Sequence, residues 1–173
     1  MIAKALAVMY PGITFGALED NADCVLFENL GITTIVQWNR PEPKPTLAEI
    51  SAAMLPAKRA QVIEQINAER NRREQTSFTY LGKQIDSDAI SVQRITVANA
   101  TAQMALSAGV PYEVQWACAD NSLLTLDAVG MLGMMQALGS YGLALHMHGR
   151  ALKAQVLASD DPESIDILTG WPE

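Results

Sequence analysis

Phe78-Thr79-Tyr80-Leu81-Gly82-Lys83-Gln84-Ile85-Asp86 reads as two short alternating runs flanking Gly82-Lys83, a tight β-hairpin. Ser87 or Asp88 is placed to cap a helix carrying Ile90, Ile95, Val97, Ala98, Ala102, Ala105 and Leu106, which stops at Gly109. Val110–Cys118 and Leu123–Leu126 then bracket Asp120-Asn121 as a second hairpin, and Asp127 caps a last long helix. Along that helix Met131, Met135, Leu138, Gly142, Leu145, Gly149, Leu152 and Val156 step by four and three, a seam of period 3.5. Its glycines would let another backbone approach closely. The partner is either the Ile90–Leu106 helix of the same chain or a second subunit. Asp161 caps a terminal turn with Pro162 at its first position, and Gly170-Trp171-Pro172 ends the pattern.

Upstream, Ile2–Met9, Cys24–Phe27 and Ile32–Trp38 read as short strands punctuated by Gly12, Gly16 and Gly31. Three short strands bury little by themselves, so this piece is expected to need a partner surface. Pro41, Pro43 and Pro45 alternate with Glu42 and Lys44, which fixes an extended, stiff spacer. Thr46 with Glu49 three residues on forms a capping box for a helix over about 47–75, interrupted at Pro56. The fold class is therefore α+β. A small N-terminal β element (1–39) leads to a proline spacer and connecting helix (40–75). A compact module of two hairpins and two main helices (76–173) follows.

The chain has 173 residues and is 49% hydrophobic, enough for a sizeable core. Its formal charge of −7 argues against non-specific binding to nucleic acid, which needs clustered cations. Residues 76–173 hold four basic against ten acidic side chains, so this module carries nearly all the acidity. A mildly basic middle segment, at Lys58, Arg59, Arg70, Arg72 and Arg73, reads as solvated helix surface. Cys24 and Cys118 are too few and too far apart for a disulfide framework or a zinc site, and read as buried free thiols. Met1–Met9 is followed by the turn Tyr10-Pro11-Gly12, which is not a signal-peptide pattern. No apolar run approaches the roughly 20 residues of a membrane span, so a soluble chain made in the cytoplasm is expected.

Candidate chemistry is sparse. His146 and His148 sit two apart, about 200° around a helix, where one ion cannot bridge them. Asp86, Asp88, Asp120 and Asp127 occupy turns and helix starts, where Asp is already the preferred cap, and lack the spacing of a calcium loop. Asp160 and Asp161 have no nearby histidine or nucleophile, and Ser140 lacks the strand-to-helix setting of a nucleophile elbow. Trp38, Trp116 and Trp171 fit core or interface anchors better than exposed binding aromatics. The expected site lists are accordingly empty: catalytic none, cofactor none, metal none, and no enzyme.

From about residue 64 to the end the chain resembles an uncharacterised domain encoded in phage and prophage tail regions, beside or at the ends of tail-fibre proteins. The matching residues are Arg72-Arg73, Phe78-Thr79-Tyr80, Gly82, Asp86-Ser87-Asp88, Trp116, Asp120-Asn121 and Leu126-Asp127-Ala128. Arg150-Ala151-Leu152-Lys153, Ile165-Asp166 and Gly170-Trp171-Pro172 complete the set. The segment Trp38–Glu49 is similar to parts of tail-fibre and tail-fibre-assembly proteins. The first 30 residues carry no resemblance. The resemblance implies a structural phage tail protein of the virion, in the baseplate or tail-fibre attachment region, made in the host bacterial cytoplasm. A tail-fibre assembly chaperone is the alternative. It implies protein–protein contacts with baseplate or tail-fibre proteins and a homo-oligomer, a trimer by analogy. The resemblance carries over no catalytic residues; no nucleic acid and no membrane span are expected from charge and hydropathy.

Overall fold

A computed structural model describes residues 2–18 and 20–172. The fold is α+β. The elements run α1 (Ile2–Met9), β1 (Cys24–Asn29), β2 (Ile32–Trp38), α2 (Leu47–Glu74), β3 (Ser77–Tyr80), β4 (Lys83–Asp86) and α3 (Ala89–Ala108). They continue with β5 (Glu113–Ala117), β6 (Leu123–Asp127), α4 (Ala128–Ala158) and a 3-10 turn, Pro162–Ser164. The strands form three separate two-stranded sheets, β1–β2, β3–β4 and β5–β6. Two compact units arise: Met1–Glu64 with Gln155–Ile165, and Gln65–Ala154 with Asp166–Glu173.

In the first unit, Ile2–Met9 is a helix and not the expected strand. An eight-residue apolar run fits either period. Here Ala3, Ala5, Leu6 and Ala7 favour helix, and Ala5 and Leu6 are fully buried with Ile2 and Met9 half-buried on the same face. The hairpin β1–β2 turns at Leu30-Gly31, both with positive φ, and carries a bulge between Val25 and Leu26. Leu26 and Ile35 pack inward with Ala5, Leu6, Ile50 and Ala57.

The Pro41–Pro45 stretch is tied to this hairpin. Trp38 Nε1 donates to Glu42 O (2.7 Å), Lys44 Nζ to Ile35 O (2.7 Å), and Pro45 is buried. The capping box forms as read: Thr46 N donates to Glu49 Oε2 (2.7 Å) and Glu49 N to Thr46 Oγ1 (3.3 Å). α2 then runs unbroken through Pro56, against the expected interruption. Pro56 and Ala52, whose carbonyl loses its partner, are both exposed, so water can satisfy that group. Asp161 makes no side-chain cap to the terminal turn; its carbonyl accepts from Ser164 Oγ instead (2.8 Å).

In the second unit β3–β4 pairs Phe78 with Ile85 and Tyr80 with Lys83, so the turn is Leu81-Gly82, one residue earlier than read. Asp88 caps α3 by accepting from Ile90 N (2.9 Å) and Ser91 N (3.2 Å), and Gly109 closes it at φ +65°. β5–β6 pairs Val114 with Leu126 and Trp116 with Leu124. Asp127 Oδ1 accepts from Gly130 N (2.7 Å) at the start of α4. Phe78, Ile85, Ile95, Ala102, Leu126, Met131 and Met134 form one buried cluster, so the first turns of the α4 seam pack on α3 and both hairpins. The seam residues from Met131 to Val156 are all buried or half-buried.

By length and composition alone α4 is apolar enough to cross a bilayer, contrary to the sequence expectation. Its buried seam is equally the pattern of a core helix. Two glycines of α4, one on the seam and one off it, differ. Gly142 has open space where a Cβ would stand, so close backbone approach does not explain it. Gly133 is different: a Cβ there would lie 2.5 Å from Tyr80 Oη, which donates to Gly130 O at 2.7 Å.

On α2, Glu69 accepts from Arg72 Nη2 (2.8 Å) and Arg73 Nε (2.6 Å), three and four residues on. The Arg72 hydrogen bonds, aided by Arg73, hold its carboxyl down at about 2 against an ordinary 4.5.

Two outcomes follow from these contacts. Gly133→Ala is expected to cost about 1–3 kcal/mol by overpacking. Combined with Tyr80→Phe, which removes the clashing oxygen, it should cost clearly less than the two single changes together in urea denaturation. The Glu69 contribution is fully present above pH 4.5 and is lost as pH falls from there through about 2. Glu69→Gln should remove about 1–2 kcal/mol at pH 7, discounted for the exposure of Arg72. The difference from the native chain should vanish near pH 2 in the same assay.

Candidate functional site

The groups weighed in the sequence do not converge on one centre. His148 packs edge-on against Trp171 (ring centroids 4.6 Å apart), while His146 is exposed with Nδ1 4.0 Å from Glu74 Oε1. Asp88 and Asp127 are engaged at helix starts. Asp120 accepts from Ser122 N (2.9 Å) and lies 3.6 Å from Lys83 Nζ. Asp160, Asp161 and Ser140 are exposed. Cys24 and Cys118 are buried free thiols, and burial pushes the Cys24 thiol up.

The closing Gly-Trp-Pro motif is a plug. Gly170 takes φ +77°, which favours glycine. Trp171 is buried, donates from Nε1 to Ile167 O (2.9 Å), and is overlaid by the Arg73 guanidinium at 5.6 Å. Arg73 Nη2 also donates to Leu168 O (3.1 Å). These residues secure the end of the second unit, and their hydrogen-bonding groups are largely spent on doing so.

Two surfaces retain unspent capacity. In the first unit, strand alternation sends Phe27, Ile32 and Val36 to the side opposite Leu26 and Ile35. Phe27 is 55%, Ile32 67% and Leu30, at the hairpin tip, 95% exposed. Among the described residues β2 pairs with no strand other than β1, although Lys44 Nζ takes the Ile35 carbonyl.

In the second unit a cleft of about 480 Å³ runs along β5 beside the start of α3. Asp86, Arg94, Gln115, Trp116 and Asn121 line it. They come from four local features: the end of β4, the second turn of α3, β5 (Gln115 and Trp116), and a left-handed turn residue at φ +59°. Sequence reading weighed Asp86 and Trp116 separately and never joined them to Arg94. The faint signal was the placement of Asp86-Ser87-Asp88, Trp116 and Asp120-Asn121 at element ends, where side chains from different segments can meet.

Residues 2–62 match the family model described as XkdW protein, a phage-associated family. That match includes the first 30 residues, for which the sequence offered no resemblance. Residues 57–169 match the model described as Domain of unknown function (DUF4376). No curated protein and no solved structure matches the chain. The matches suggest a phage-related protein, and since the second covers well over half of its length, the chain belongs to the DUF4376 family.

Proposed function

We propose that this chain is a structural component of a phage tail, built into the baseplate or the tail-fibre attachment region. It acts through protein–protein contacts and not by catalysis. The observation that carries this reading is the β1–β2 hairpin, which presents Phe27, Leu30 and Ile32 to solvent. An apolar face of this kind, on a chain matched by a phage-associated family, is suited to docking on a neighbouring tail protein. The part of the β2 edge not taken by Lys44 could add main-chain hydrogen bonds to the same contact. The neighbours would be baseplate or tail-fibre proteins. Tail assemblies are symmetric, so several copies would be present, three if they follow a fibre axis.

Mass spectrometry of purified virions should find this chain at a fixed ratio to the known tail proteins. Phe27→Asp with Leu30→Asp should lower its incorporation by about tenfold or more, since each buries a charge in the contact. The exposed positions should leave its own stability within about 0.5 kcal/mol. Consistent absence of the chain from virions contradicts the structural role and fits the assembly-chaperone alternative.

A further inference from the structure

We propose that the cleft beside β5 is a binding site for a neutral, hydroxyl-rich sugar ring, a pyranose at an exposed position of a glycan. Asp86, Arg94, Gln115, Trp116 and Asn121 line it, and among the described residues no side-chain hydrogen bond or ion pair engages any of the five. Their neighbours differ. Asp88 is spent on the α3 cap and on Ser91 Oγ (2.6 Å), and Asp120 on the Ser122 turn and Lys83. The cleft thus gathers side chains without a hydrogen-bond partner, although the Arg94 charge also acts on the Asp88 carboxylate.

The chemistry of the five selects the ligand. Asp86 only accepts, Arg94 only donates, and Asn121 does both, while Gln115, next to Trp116 on β5, points to the other face of the strand. A carboxylate and a guanidinium in one cleft nearly cancel, so neither a cation nor an anion gains from the site as a whole. A ligand that donates and accepts at each position while carrying no charge satisfies all three. Vicinal hydroxyls on a ring do this, and the planar carboxylate, guanidinium and amide ends can each bridge two of them.

Trp116 supplies the complement. It is half-buried, resting on the core cluster, and among the described residues no acceptor takes its indole N–H. Its remaining apolar surface suits the C–H face of a sugar ring and its free N–H a hydroxyl. The volume of about 480 Å³ lies within the range of small-ligand clefts, about 300–1,000 Å³. An extended peptide added to the β5 edge would need pockets for alternate side chains. Trp116 and Val114 are the only large apolar residues lining the cleft, so the observations favour the sugar.

The site is distinct from the hairpin of the first unit, and it can be tested on the isolated full-length chain without reference to virions. The indole N–H resonance of Trp116 is followed by NMR in titrations with several probes. These are the methyl pyranosides of glucose, galactose and mannose, N-acetylglucosamine, inorganic phosphate, and an uncharged end-capped pentapeptide. At least one saccharide should shift the resonance saturably. Asp86→Asn and Arg94→Ala, both at exposed positions, should each weaken that binding by about ten- to a hundredfold, the loss of a hydrogen bond to a charged group. Met104→Ala, exposed on α3 and outside this cleft, should leave it unchanged. The proposal is overturned if no saccharide moves the resonance up to its solubility limit. It is equally overturned if binding survives both cleft variants, or if phosphate or the peptide binds and the saccharides do not.

Discussion

A two-stranded hairpin has too little surface to bury a face of its own, and every sheet among the described residues is two-stranded. Each hairpin must therefore rest on helices. In the first unit β1–β2 lays Leu26 and Ile35 on Leu6, Ile50 and Ala57. In the second, Phe78 and Ile85 from one hairpin and Leu126 from the other meet Ile95, Met131 and Met134. The α4 seam thus supplies the common apolar surface on which the second unit is assembled. Tyr80 reinforces it by hydrogen-bonding into α4 at Gly130, where Gly133 leaves room for the ring hydroxyl.

That dependence accounts for what the sequence could disclose. Signals written locally were legible: the Thr46–Glu49 capping box, the Asp88 and Asp127 caps, the Gly109 stop, and the 3.5 period of the α4 seam. Where a short run satisfied two periods, the sequence could not arbitrate. Ile2–Met9 became a helix because burial of Ala5 and Leu6 on one side decided the matter. Pro56 broke nothing because the carbonyl it orphans faces solvent. The β5 cleft was illegible for a third reason. Asp86, Arg94 and Trp116 belong to three elements, and only the packing of those elements creates their proximity.

The functional picture divides between the units in the same way. The first unit spends its interior on a small core and leaves Phe27, Leu30 and Ile32 outside, which is the composition of a contact surface and costs solubility if uncovered. The second unit engages Asp88 and Asp127 at helix starts and buries Trp171. The cleft beside β5 in one unit and the apolar hairpin in the other are two separate surfaces.

The central structural claim is that both hairpins of the second unit stand or fall with α4. Hydrogen exchange on Met134→Ala tests it most directly, since this change removes a fully buried side chain and should cost about 2–5 kcal/mol. The account predicts that the opening free energies at Phe78, Ile85, Val114 and Leu126 fall by the same amount as those along α4 from Met131 to Leu138. If the hairpin amides keep their native protection while α4 alone loosens, the hairpins have another source of stability and the account is wrong.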